Sequence, residues 1–451
     1  MNEQQFIEKL FARAQAVGLT EYEAYFRRGD SFRVTVFQGE LDGYDVNTSV
    51  GLSFRALCGG RMGYAYTEAF DDAAIDMLVE RVIGNAGVIE NDDPQFIFAG
   101  SPKYQTVDSF SPATDACTAG EKIAMVRAME EAAKAVDPRI KSVQYCTVMQ
   151  GGGTVRLTNS KGLDLSHRSN VIGAYLMAVA EGTDGKVSTA FKAKLATAPT
   201  GLDPAAIGRE AAQRALERQG AVCVPSGTYN IALQNEVAID FLETFAGVFS
   251  AEEAQKGKSQ LAGQEGKAIA ASCVSIVDDP LLPDGFGSAP FDDEGVATYT
   301  KSVVEDGVLT TLLHNLKTAA KAGVQSTGNA SKAGLSGSVR VSPSNFFVKP
   351  GTLGFHDLLA KLGDGLLITE LDGLHAGANP ISGDFSLSAR GFRVEGGKKT
   401  VPVEQITLAG NFYTLLKAID TVGSDLEFGF PGAGVIGCPT LLIKGLSVAG
   451  E

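Results

Sequence analysis

Glu236, Asp240 and Glu243 stand at i, i+4 and i+7 in the segment IALQNEVAIDFLETFAG, residues 231–247. A helix stacks residues at these offsets on one side, so the sequence sets three carboxylates in a column with no histidine among them. Such a column could be a platform for a metal ion, an acid–base pair, or a solvated face. Val237, Phe241 and Phe245, with Leu242 beside them, form the apolar stripe that the same helix would bury. The apolar run before it reads as the end of a strand, and a strand-to-helix junction opening a domain is a common place for a site.

Other chemistry-bearing motifs are weak. His167, His314, His356 and His375 lie far apart, so no H-E-x-x-H helix exists, and a zinc site would need ligands from distant segments. His314, in LLHNLKTAAKAG, falls between a strand and a helix, where a hydrogen-bonded structural role is its ordinary fate. Gly432, Gly434 and Gly437 match G-x-G-x-x-G, but a strand follows instead of the helix that must hold a pyrophosphate. Neither a P-loop nor a G-x-S-x-G elbow is present.

The elements that would position the acidic helix form an α+β pattern in two parts. Phe6, Leu10, Phe11 and Ala14 predict an amphipathic first helix; residues 31–38, 49–57 and 61–69 predict a strand meander, and 71–86 a helix. The Pro- and Asp-rich stretch 91–115 reads as a long connection, followed by a helix over 118–135, strands at 141–149, 153–158 and 163–180, and a helix over 203–218 capped by Asp203 and Pro204. A boundary near 219–226 divides an N-terminal α/β meander domain, 1–220, from a Gly-rich, strand-dominated, barrel-like C-terminal domain, 221–451. Within the latter, GDFSLSARGFRVEGG at 383–397 alternates Phe385, Leu387 and Ala389 against Ser386, Ser388 and Arg390, a half-buried strand with one polar face.

The net charge of −14, with no Lys/Arg run, argues against nucleic acid or an anionic membrane as a direct partner. No secretory leader is read at the N-terminus, and the apolar run 171–180 is too short to span a bilayer. Cys58, Cys117, Cys146, Cys223, Cys273 and Cys438 are scattered without CxxC spacing, as free thiols in a reducing cytoplasm would be.

GLSFRALCGGRMGYAYTE (51–68), DDPLLPDGFGSAPFDDEGVAT (278–298), LLHNLKTAAKAGVQSTGNA (312–330) and NPISGDFSLSARGFRVEGGKKTVPVEQITLAGNF (379–412) together carry a resemblance covering nearly the whole chain. The sequence resembles the TldD/PmbA proteins, once labelled modulators of DNA gyrase and now viewed as metallopeptidases, and is nearer the PmbA (TldE) branch. In the TldD branch an H-E-x-x-x-H helix and a cysteine in the C-terminal Gly-rich loop hold zinc. Here Asn235 and Asp240 stand at the histidine positions, Glu236 at the glutamate, and EFGFPGAGVIG has no cysteine until Cys438. Asn and Asp suit hard cations better than zinc, and a glutamate base without metal-bound water has nothing obvious to activate.

The resemblance therefore implies a TldD/PmbA-like fold with no metal in this chain, and a partnership with a zinc-bearing TldD-like subunit, or a homodimer in isolation. The hollow pair would admit unfolded peptides, and the C-terminal half, 222–451, would offer the apolar association surface. Substrate contact would fall to Asn235, Glu236, Asp240, His314 and, through backbone pairing of an added strand, Ser386 and Ser388. The alternative is an autonomous hydrolase or peptide-binding protein using Glu236, Asp240 and His314.

Overall fold

The computed structural model describes residues 1–90 and 93–451; the first two residues of the expected connection lie outside them. The N-terminal half is built on one antiparallel sheet of six strands: β1 (Tyr22–Phe37), β2 (Glu40–Cys58), β3 (Arg61–Thr67), β4 (Ile140–Asn159), β5 (Asp164–Glu181) and β6 (Val187–Ala196), in spatial order β3-β2-β1-β4-β5-β6. Helices α1 (Glu3–Ala16) and α2 (Asp72–Gly87) bury Phe6, Leu10, Leu78 and Val82 against β1–β3. After the short α3 (Pro112–Ala116), helices α4 (Ala119–Lys134) and α5 (Pro204–Glu217) bury Val126, Met129, Ala211 and Ala215 against β4–β6. The caps follow the sequence: Asn2 and Thr118 close capping boxes, and Asp203 with Pro204 opens α5.

Two expectations need correction. β1 begins at Tyr22, nine residues before the expected strand, because Tyr22, Ala24 and Phe26 continue its alternation beneath α1 and α2. The expected break in Gly151–Gly152–Gly153 is absent, and β4 runs straight through it. The reason is steric. A Cβ on Gly153 would lie 2.1 Å from the Arg28 carbonyl oxygen of β1, so glycine here admits close strand packing instead of making a turn.

β7 (Gly227–Leu233) opens the C-terminal half. It pairs in parallel with Gly365–Asp372, which pairs antiparallel with Asp384–Glu395, then Lys398–Asn411, then Leu441–Ala449, which returns to β7. These strands close a five-stranded barrel. Helix α6 (Asn235–Phe245) follows β7 and packs Phe241 edge-on to Phe385, while Phe245 stacks on Phe412 at 4.5 Å. A second six-stranded sheet carries Ile276–Asp278, Asn345–Val348 and Val435–Cys438 at its centre.

The halves meet over a buried polar cluster. Arg55 donates to Glu23 at 2.7 Å and lies 3.8 Å from Glu294; Lys332 donates to Ser53 and covers the Tyr25 ring, whose hydroxyl donates to Asp293. Glu23, Arg55, Asp292, Glu294 and Lys332 are all buried.

The exposed large apolar side chains fall mainly in the N-terminal half, not the C-terminal half expected to carry them. Phe37, Leu41, Tyr44 and Val46 stand exposed on the β1–β2 hairpin. The cause is geometric: β3 reaches only residues 52–58 of β2, so the outer part of β2 is paired to β1 alone and its other edge has no strand beside it among the described residues.

Candidate functional site

The acidic helix is set by its neighbours. Gln234 at its N-cap makes no side-chain cap. Instead Asn235 N–H donates to Thr440 Oγ1 at 3.2 Å, Glu236 N–H donates to Asn235 Oδ1 at 2.8 Å, and Asn235 Nδ2 donates to the Asp425 carbonyl at 3.0 Å. Thr440 is in turn fixed by Asp425 through its N–H and its hydroxyl. The first turn is thus pinned to the strand junction beside the C-terminal loop, and both polar atoms of the Asn235 amide are occupied.

The other face of α6 looks into a cleft of about 760 Å³. Its walls are residues 189–195 of β6, Arg214 of α5 and Arg218 just past its end, the loop 282–286, Thr369–Leu371 of the barrel, and the Gly-rich loop 426–432. Glu236, Asp240 and Glu243 line it together. Glycine lets the loop approach: a Cβ on Gly429 would lie 2.8 Å from Ile239, and one on Gly432 2.5 Å from Glu243 Oε1.

Glu236 is not free. Lys192 of β6 donates to Oε1 at 2.6 Å, and Arg214 of α5 binds both oxygens, at 2.5 and 3.0 Å. Burial opposes ionisation, but Arg214 and then Lys192 outweigh it and hold the carboxyl below its ordinary range. Asp240 shows the opposite behaviour. It is open to water in the cleft yet walled by protein, and burial followed by the charges of Glu243 and Glu236 pushes it up to about 6. Burial also raises Glu243. A second cross-cleft ion pair joins Lys194 to Glu427 at 2.8 Å.

The remaining expected site residues lie elsewhere. His314 is not in the cleft; it is buried before the helix Leu316–Ala322, with burial lowering its pKa and Nδ1 lacking a partner among the described residues. Ser386 and Ser388 are exposed on the far side of their strand, opposite the buried Phe385 and Leu387. Ser388 is paired on both sides, to Asp372 and Thr407, so it offers no edge to an added strand. Cys438 is fully buried in its strand, with burial pushing its thiol far up.

The sequence reading missed Lys192, Arg214, Arg218 and Glu427. One signal was available: Lys192 and Lys194 at i, i+2 in FKAKLA mark one side of a strand. The Gly-rich stretch around Gly432 is a turn leading into the strand Val435–Cys438.

Zinc does not fit here. Asn235 spends both amide atoms on protein, Glu236 is ion-paired, Cys438 is buried away, and no group of three His, Cys, Asp or Glu residues converges among the described residues.

Family comparisons agree with this architecture. The models of the PmbA/TldA metallopeptidase domain 1, central domain and C-terminal domain match residues 22–86, 115–219 and 226–450. The chain belongs to the TldD/PmbA family. It is 28% identical over 425 residues to the Metalloprotease PmbA of Escherichia coli O157:H7, covering 93% of this chain and 90% of that one. It is 29% identical over 404 residues to a metalloprotease of Methanothermobacter thermautotrophicus, covering 88% and 87%. A crystal structure from Thermotoga maritima MSB8, named for a modulator of a DNA gyrase, superposes with a TM-score of 0.90 at 34% identity over 99% of this chain and 100% of that one. TldE from Thermococcus kodakarensis shares the fold, with a TM-score of 0.89 at 20% identity over 99% and 100%.

Proposed function

We propose that this member of the TldD/PmbA metallopeptidase-related family is a peptide-holding subunit without a catalytic centre of its own. In this reading it works in the cytoplasm beside a zinc-bearing TldD-like partner that cleaves unfolded peptides. One observation carries the reading: Glu236, at the family's glutamate position, is neutralised by Lys192 and Arg214. A carboxylate held ionised by two cations and occupied on both oxygens is a poor proton acceptor.

The cleft supports the peptide-holding part. β6 ends the sheet and among the described residues pairs with β5 alone, so most of its outer edge can take an added strand. Phe191, Phe286, Phe428 and Phe430 supply apolar wall around that edge. No helix among the described residues is long and apolar enough to cross a membrane. The charge of −14 gives no support to a direct action on DNA.

The test is reconstitution. The chain purified without added metal should contain far less than one zinc per molecule and should not hydrolyse an unfolded peptide. Mixed with a TldD-type protein, it should form a complex that degrades unfolded casein faster than the TldD-type protein alone. One zinc per chain, or peptide cleavage by this chain alone, would overturn the reading.

A further inference from the structure

Beside the cleft, at one end of β6, lies a smaller recess of about 170 Å³. Seven consecutive residues of β6, 189–195, line the cleft. Successive side chains of a strand point to opposite faces, so a wall made of every residue in turn is a strand seen edge-on. At one point that edge is closed: Arg218 Nη1 donates to the Thr189 carbonyl oxygen at 2.5 Å. A peptide pairing with β6 from Leu195 towards Thr189 must stop there. Thr189 and Arg218 line both the cleft and the recess.

The recess is rich in donors. Lys186, Arg218 and Arg390 line it, with Gln219. Gln219 Oε1 accepts from Arg139, which aims the amide nitrogen the other way; that Nε2 is buried without a partner among the described residues. Both arginines meet Glu370, and Arg390 also meets Asp372, each through Nη1; among the described residues neither donates a hydrogen bond from Nε or Nη2. Two carboxylates share the wall: Asp184, which accepts from the N–H of Lys186 in its own turn, and Glu404. An unpartnered buried donor is costly unless a ligand supplies an acceptor, and guanidinium groups match carboxylate oxygens two at a time.

We infer that this recess is a subsite for the C-terminal carboxylate of a peptide lying antiparallel along β6. The inference rests on the peptide-holding reading above. Direction supplies the ligand: antiparallel pairing is the more stable ladder, and a chain antiparallel to β6 runs from Leu195 to Thr189, delivering its C-terminus to Arg218, Arg390 and Gln219.

The experiment uses the full chain and one unstructured ten-residue peptide containing tryptophan, which can be excited selectively because the protein has tyrosines but no tryptophan. The peptide is made as the free acid and as the C-terminal amide. The free acid should bind at least about tenfold more tightly, the scale of a charge-assisted hydrogen bond. Gln219→Leu and Arg390→Ala should each lower the free acid's affinity more than the amide's, and so erase that difference. If the wild-type chain binds acid and amide equally, the subsite is wrong and the peptide-holding reading survives. Binding of neither peptide removes the reading itself. If a variant fails to fold by circular dichroism, the wild-type acid-to-amide ratio still decides the question.

Discussion

Arg214 of α5 and Glu236 of α6 grip each other side-on across the junction of the two halves, Nη1 to Oε2 at 2.5 Å and Nη2 to Oε1 at 3.0 Å. The pair makes the most suggestive carboxylate in the sequence a tether. Glu236→Gln should therefore lower stability at pH 7 by about 1–2 kcal/mol, the low end for charged hydrogen bonds because the site is partly wet. The sign with pH follows from the lowered pKa. The native state holds the ionised form, so the tether's contribution is full above the unfolded carboxyl range and is lost as pH falls through the lowered value. Chemical denaturation of both proteins at pH 7 and pH 3.5 measures this; the gap should shrink at the lower pH.

Asp240 should behave in reverse. Its folded pKa of about 6 lies above the unfolded value, so its contribution is complete below the unfolded pKa and disappears as pH rises through about 6. Asp240→Asn should be more stable than the wild type at pH 8, by about 1 kcal/mol after allowance for solvent screening in the open cleft. Near pH 4 the two should melt together. Differential scanning calorimetry at the two pH values checks it, and a stability difference that does not change with pH would refute the assignment.

Ser388→Pro is expected to disrupt the fold broadly and not to weaken peptide binding selectively. Ser388 is bonded into the ladder between two neighbouring strands of the closed barrel, and proline belongs only at edges or bulges. A loss exceeding about 3 kcal/mol is expected. A folded Ser388→Pro protein of wild-type melting temperature would show that this segment is not an interior strand.

Gly153→Ala should cost about 1–3 kcal/mol, the usual penalty for overpacking, since its methyl would meet the Arg28 carbonyl of β1. Gly151→Ala, with no atom within 4 Å of the added carbon, should be nearly neutral. Comparing their urea midpoints separates close packing from simple loss of glycine.

The acidic helix was legible because its pattern is local: Val237, Phe241 and Phe245 at helical spacing, after an alternating strand, fix its existence and its buried face. The alternation of Phe385, Leu387 and Ala389 placed that strand for the same reason. What holds the carboxylates was not legible. Lys192 and Arg214 reach Glu236 from 44 and 22 residues away, and nothing in the spacing of charges says which will meet once two halves pack. The glycine triplet misled for a related reason, since its constraint is the Arg28 backbone on another strand. His314 was attractive as a residue type placed between a strand and a helix, a local pattern that does not say whether the ring is buried or faces a cleft.

The cluster of Glu23, Arg55, Asp292, Asp293, Glu294 and Lys332 changes what the linker near 219–226 means. In sequence it is an obvious place to divide the chain into separate fragments. In space, Arg55 and Glu23 come from one fragment, and Asp292, Asp293, Glu294 and Lys332 from the other. Dividing the chain there would strand charges that were dehydrated together, and breaking a buried ion pair costs far more than an exposed one returns. The two halves should therefore unfold as one cooperative unit, in a single transition by differential scanning calorimetry, and neither should fold when made alone.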